Sequence, residues 1–271
     1  MMNELFLFLE NSMLPTLYVG LLFFIFEFFF PYKKIKFRQL AGINSVDFFW
    51  KIAEKCLTPI INAAAIATAV YFLNRYVPWF RHGNFISDIY KKNIFISYTI
   101  LFLLKELIIY SVHVYMHRSK FWRIHILHHS SEHLNWLSAD RVHFFESSIQ
   151  FIISALFYYL FNVPIEFIQL MSIFEFIFNY LLHSNIQSLK FRVPLLNSPN
   201  LHRWHHSKFS KYNGGQNFGN ITIIWDIVFG TYYFPKELDI EFGVDEVNRY
   251  PKHFIETLLY PLRAGFFQTK K

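Results

Sequence analysis

Five apolar stretches decide what this chain can fold into: residues 14–30, 57–73, 93–112, 147–161 and 165–182. A helix needs roughly 17–25 apolar residues to cross a bilayer, and lipid admits only helices and closed barrels. The first stretch ends at Pro31, and the second (NAAAIATAV) is rich in small residues that allow close packing against a neighbour. The third carries Lys105 and Glu106, which are costly in lipid and should face protein or pair locally. The last two are separated by Asn162-Val163-Pro164, a turn tight enough for a helical hairpin that crosses and returns, or dips in and out. Residues 218–234 are apolar but interrupted by Asp226 and Gly230, which predicts an interfacial or packed segment, not a span. From Pro235 the chain is charged and reads as a cytosolic tail, and the stretch between the first two spans reads as a mixed loop to about Lys55.

Composition agrees. With 54% apolar and 21% aromatic residues, the chain is too apolar for an ordinary soluble domain. The formal charge of +7 would suit nucleic acid, but the basic residues flank apolar spans, so an anionic lipid surface is the simpler partner and nucleic acid is excluded. The lone Cys56 excludes an internal disulfide and any CxxC redox or metal motif. No cleavable signal peptide is evident, which fits a bacterial inner membrane. The expected fold is an all-α integral membrane protein, with about four to five membrane helices and a cytosolic helical cap. Residues 1–92 supply membrane helices and loops, 93–236 the histidine-rich region and 237–271 the tail, within one structural domain. Placing the basic loop after the first span inside puts both histidine-rich regions on that side.

Seven of the thirteen histidines fall between His113 and Glu146. His125, His128 and His129 form an HxxHH pattern that recurs as His202, His205 and His206. Residues at i, i+3 and i+4 share a helix face. His113 and His117 are one turn apart, as are Asn179 and His183. Ser198-Pro199 is a good helix start just before the second pattern. One HxxxH pair is more often incidental than metal-binding. Two HxxHH patterns, with further histidines at the ends of spans on one membrane face, are hard to explain as surface decoration. So many imidazoles exceed the coordination shell of one ion, and a nitrogen-rich set disfavours calcium or magnesium and suits iron or zinc. The predicted two-metal ligand set is His113, His117, His125, His128, His129, His143, His183, His202, His205 and His206. His82, His133 and His253 are set aside. Glu132, Asp140, Glu146 and Asp226 are candidates to orient imidazoles, with ordinary surface charges as the plainer reading. Arg118, Arg123, Arg141 and Arg203 suit lipid headgroups or those acids. Trp122, Trp136, Trp204 and Trp225 suit interfacial anchors, channel walls or simple packing.

The stretches YMHR, FWRIHILHHSSEHLNWLSADRVHFFE and SPNLHRWHHS, followed by NGGQNFGNITIIWDIVFGTYYFP, resemble the histidine boxes and closing element of the fatty acid hydroxylase/sterol desaturase superfamily, over about residues 95–236. The resemblance implies a helical membrane anchor with a cytosolic cap holding two Fe ions, Zn being a substitute. It also implies O2 as co-substrate and hydroxylation or desaturation of an acyl chain, sterol or related lipid. The metal ligands would be the whole catalytic machinery. Asn179 becomes a candidate metal or water ligand, as an asparagine is in related desaturases. One departure stands out. The family's first box usually has a second histidine soon after His-Arg, whereas His117-Arg118 is followed by Ser119-Lys120-Phe121-Trp122, and His113 is the candidate replacement. The chain has no haem-attachment motif, cysteine cluster or dinucleotide fingerprint, so a separate electron donor (a ferredoxin, cytochrome or reductase) is implied. The rival readings are a zinc-type membrane lipid hydrolase and a degenerate metal-binding membrane protein without turnover.

Overall fold

The computed structural model describes residues 2–34, 37–76, 92–118, 120–187, 193–208, 215–235, 240–244 and 253–263. The order of elements is α1 (Met2–Phe29), α2 (Phe37–Tyr76), α3 (Ile94–Arg118), α4 (Trp122–His129), a 3-10 turn (Trp136–Asp140), α5 (Phe144–Leu160), α6 (Ile165–His183), α7 (Pro199–His205), α8 (Ile224–Val228) and α9 (Phe254–Arg263). The described residues form helices and isolated bridges, with no strand ladder among them. Residues 49–76 of α2, all of α3 and all of α6 are long and apolar enough to cross a membrane. The stretches Pro15–Phe29 and Phe144–Leu160 are apolar but shorter. The five apolar segments expected from the sequence are therefore all helical, and the protein is an all-α membrane protein.

The α5–α6 hairpin turns at Asn162, which adopts a positive φ of 47°, a conformation asparagine tolerates better than most residues. Its tip packs Phe157, Val163, Phe167 and Met171 against Leu101 of α3 and Ile221. Lys105 and Glu106 of α3 both find partners within the protein. Lys105 pairs with Glu175 of α6, and Glu106 accepts the backbone N–H groups of Ile221 (2.8 Å) and Thr222 (3.0 Å).

One expectation is corrected. The stretch expected as a loop to about Lys55 is helical, because α2 begins at Phe37. It reaches the protein interior at Trp50, fully buried with its indole N–H on Thr257 Oγ1, and at Lys51, paired with Asp140 at 2.6 Å. The C-terminal stretch does not hang free: α9 sets Phe254 against Trp50 and packs on α4. The 3-10 turn locks against α1, where Trp136 lies so close to Gly20 that an added Cβ would sit 2.5 Å from its ring. Glu27 of α1 accepts the N–H groups of both Trp136 (2.7 Å) and Asn185 (2.9 Å). These ties bring the near ends of α1, α2, α3, α5 and α6 to one level, where the histidines converge.

Candidate metal centre

The two HxxHH patterns lie on short helices. α7 starts as expected, with Ser198 capping the N–H of Leu201 and Pro199 in the first turn, and His206 follows its last helical residue. On a helix of 3.6 residues per turn, position i+4 lies about 40° ahead of i, while i+3 lies about 60° behind it. The motif therefore points two ways. His125 and His129 of α4 join His113 and His117 of α3 and His205 of α7, while His128 joins His183 of α6 with His202 and His206 of α7. Each helix thus gives its i and i+4 histidines to one group and its i+3 histidine to the other, in reciprocal fashion. Within each group, one ligand nitrogen per residue lies within 4.8 Å of all the others. The groups abut, with the rings of His129 and His206 stacked at 4.4 Å.

In the four-histidine group, Nε2 of His183 lies 3.1 Å from Nε2 of His128 and 3.0 Å from that of His202, which lies 3.0 Å from Nε2 of His206. In the other group, Nε2 of His125 and His129 are 3.1 Å apart. Two nitrogens bound at right angles to one ion, each at about 2.1 Å, stand about 3.0 Å apart. The outer nitrogens are held elsewhere. Nδ1 of His113 donates to the carbonyl of Phe218 (2.9 Å), that of His205 to Gln216 (2.8 Å) and that of His183 to Asn179 (2.8 Å). Nδ1 of His125 donates to the carboxylate of Glu146 at 2.8 Å. With the proton on Nδ1, each Nε2 presents a lone pair inward. Nε2 of His113 and His205 is buried with no hydrogen-bond partner. Converging lone pairs buried in this way are unfavourable without a cation among them. The donor set fits two nitrogen-seeking metal ions.

Burial, and then the neighbouring imidazoles, holds His128, His129, His202 and His206 well below the ordinary histidine pKa; for His205 the same causes act, partly offset by Gln216. At neutral pH these rings are neutral, the form that ligates metals.

His143 does not join either group. It caps α5, its Nδ1 accepting the N–H of Phe145, while Nε2 donates to the carbonyl of Leu258 (3.2 Å) and its ring packs on Trp50. Both ring nitrogens are thus occupied, and nine of the ten expected ligands fall in the two groups. Asn179 is seen to act through its backbone carbonyl, on His183. His133 and His253 lie outside both groups, and His82 falls outside the described residues.

Of the four acids, Glu146 orients a histidine directly. Asp226 acts one step back: fully buried, it accepts N–H bonds from Phe218 (2.7 Å) and Gly219 (2.8 Å) and a hydroxyl bond from Thr231 (2.7 Å). It thereby shapes the loop whose carbonyl holds His113. Gly219 has to be glycine, since a Cβ would collide with the Thr222 carbonyl and the Asp226 carboxylate. Asp140 instead bonds Lys51 and Tyr180, and Glu132 is exposed. Arg203 faces no headgroup. It is buried over the ring of Tyr32 (4.1 Å) and donates to the carbonyls of Ser184 and Ile186, joining α7 to the end of α6. Trp122 lines the site, 5.1 Å from His117 and 5.3 Å from His129 by ring centroids. Sequence reasoning missed Glu27, Trp50 and the caps made by the Gln216 and Phe218 carbonyls, none of which carries a local signal.

The family model for fatty acid hydroxylases matches residues 98–231, a stretch that contains all nine grouped histidines, Glu146 and Asp226. Residues 98–231 are a fatty acid hydroxylase domain. Its curated relatives include ornithine lipid hydroxylase OlsE of Rhizobium tropici, 29% identical over 163 residues, which are 59% of this chain and 48% of the relative. The alkylglycerol monooxygenase of Caenorhabditis elegans is 31% identical over 115 residues, 41% of this chain and 22% of the relative. The human alkylglycerol monooxygenase is 33% identical over 115 residues, 41% of this chain and 24% of the relative. The match thus spans half or less of these hydroxylase-family relatives. No solved structure matches the chain.

Proposed function

We propose that this protein is a membrane-bound lipid hydroxylase that uses two irons, O2 and an external electron donor. The observation that carries the reading is the pair of abutting all-histidine groups built by two interleaved HxxHH helices. The hydroxylase and monooxygenase activities named for the relatives favour hydroxylation over desaturation. The five-histidine set is His113, His117, His125, His129 and His205, and the four-histidine set is His128, His183, His202 and His206. When bound there, the irons supply the reduction of O2 and the oxidation of an unactivated C–H bond. Overall, a lipid C–H, O2, two electrons and two protons give a lipid C–OH and water.

The protein's part is to bury the imidazoles and to aim four of them: His125 through Glu146, and His183, His205 and His113 through the carbonyls of Asn179, Gln216 and Phe218. It also shields the centre from water behind Ile124, Leu201 and Phe218, all buried. His113, one turn before His117, completes a first box shortened after Arg118. The chain carries no redox carrier of its own sequence type, so electrons come from a ferredoxin, cytochrome or reductase docking on the histidine side. The positive-inside bias puts that side in the cytosol of a bacterial inner membrane.

The test is the iron content of the detergent-purified protein beside a His128→Ala/His129→Ala control, then 18O incorporation from 18O2 into lipids. Ornithine lipid and an alkylglycerol ether are the first substrates to try. About two irons per chain, sharply reduced in the control, with labelled hydroxyl in one lipid, is the expected result. A chain that binds no iron even after reconstitution, or that acts on lipids without O2, overturns the reading.

A further inference from the structure

The loop that holds His113 goes deeper than a cap at the membrane surface would. Its contacts along α3 can be followed in order. Phe218 meets His113, and Ile221 and Thr222 meet Glu106. The indole N–H of Trp225 then donates to the carbonyl of Leu103 at 3.2 Å. From there the chain climbs again: Phe229 stacks on Tyr110 at 5.5 Å, and Thr231 bonds the hydroxyl of Tyr110 at 2.9 Å. At 1.5 Å per helical residue, Leu103 lies about 15 Å along the span from His113. Ile221 also reaches the cluster formed with Leu101 and the tip of the α5–α6 hairpin. The neck is closed by Asn217, which donates to the carbonyls of Leu201 and Tyr233 and accepts the N–H of Tyr233.

Two further features suit this depth. Between Gly219 and Tyr233 the only charged residue is Asp226, and it is fully buried and spent on backbone N–H groups. Irregular backbone survives at membrane depth only where its polar groups are satisfied by protein. Here Glu106 serves Ile221 and Thr222, Asn197 serves the carbonyls of Gly219 and Asn220, and Leu195 accepts from Ile223. The outer face, by contrast, is bare and apolar: Ile227, Val228 and Phe229 are 51%, 61% and 56% exposed. On α3 itself, Ile96 and Ile100 are likewise exposed.

We propose that residues 218–233 form a re-entrant element sunk in the bilayer beside α3, with Ile227, Val228 and Phe229 in contact with lipid acyl chains. One wall of the metal centre is then membrane-embedded, and the element is not a cytosolic cap. This goes beyond the proposed chemistry and stands without it.

The test is a nitroxide at Val228→Cys in a Cys56→Ser background, with the full chain in phosphatidylcholine/phosphatidylglycerol liposomes. Collision rates with O2 and with a water-soluble nickel chelate are read by electron paramagnetic resonance. Ile100→Cys serves as the lipid-facing standard and Glu132→Cys as the aqueous one, and Ile227→Cys repeats the measurement on the same face. The expected result is an O2-to-chelate ratio that matches Ile100→Cys and exceeds Glu132→Cys several-fold. Access of the chelate at the aqueous level overturns the proposal. So does protection from both reagents with dipolar broadening between labels, which would mean that a second copy of the chain covers the face.

Discussion

The two histidine groups share α4 and α7 but are finished differently. The five-histidine group draws its remaining ligands, His113 and His117, from α3; the four-histidine group draws His183 from α6. Three rings of the first group are aimed from outside, by Glu146 and by the Gln216 and Phe218 carbonyls. In the second group His183 has such a carbonyl partner, that of Asn179, while Nδ1 of His128 and His202 is buried with no hydrogen-bond partner among the described residues. Outer partners fix the tautomer and orientation of a ligand before metal arrives. The first group is therefore preorganised by the protein, whereas the second is organised mainly by the mutual contacts of its own rings. Differences in metal affinity between the two sites should trace to that contrast.

The contrast is broken most severely by removing ligands. His125→Ala/His129→Ala leaves three histidines in one group and four in the other, so metal content falls from about two to about one per chain and turnover is abolished; elemental analysis and product assay check both. Removing an outer partner is gentler. Glu146→Ala is expected to weaken metal binding at the five-histidine group by about 10–100-fold and leave the other group unchanged, which a chelator competition titration with two resolved steps would read. Asp226→Asn should act in the same direction through Phe218 and His113. An equal loss at both sites would contradict the assignment.

A third prediction concerns protons. Burial holds five of the ligand histidines well below their ordinary pKa. Above the unfolded value of about 6.5 neither state of the metal-free protein is charged at these rings. As pH falls below that value the unfolded chain gains protons that the folded one refuses, so stability declines. The melting temperature of metal-free protein should drop between neutral pH and about pH 5, and bound metal should raise the melting temperature without abolishing that drop. The smallest effect is expected at His143. Removing this helix cap with His143→Ala should cost about 1 kcal/mol, measured by denaturation, with metal content unchanged.

Much of the site was legible because helical spacing is a local rule. The HxxHH patterns, the Ser198-Pro199 start and the Asn162 turn each carry their own geometry within a few residues. The membrane helices were legible for the same reason, although α2 was expected to start later: Phe37–Lys55 mixes polar with apolar residues, and the burial of Trp50 and Lys51 against Thr257 and Asp140 shows only in three dimensions. His143 was drawn into the ligand set by its place near the other histidines and before an apolar helix, yet that same place makes it a cap. Arg203 looked like a headgroup contact and is buried, because the groups it serves, Ser184, Ile186 and Tyr32, lie far away in the chain. Roles that depend on such distant partners, Glu27 and Asp226 among them, leave no periodic trace.

The reciprocal sharing of α4 and α7 also orders the birth of the protein. A chain emerging from the ribosome has His113, His117, His125 and His129 for one group, but only His128 and His183 for the other, until α7 follows. The first group is complete only at His205 and the second at His206, and the carbonyls that steady His113 and His205 arrive later still, at Phe218 and Gln216. By then all five apolar helices have been made. Full coordination of two metals would thus be the closing act of synthesis, since a nascent chain stalled before residue 202 carries an incomplete histidine set at both places.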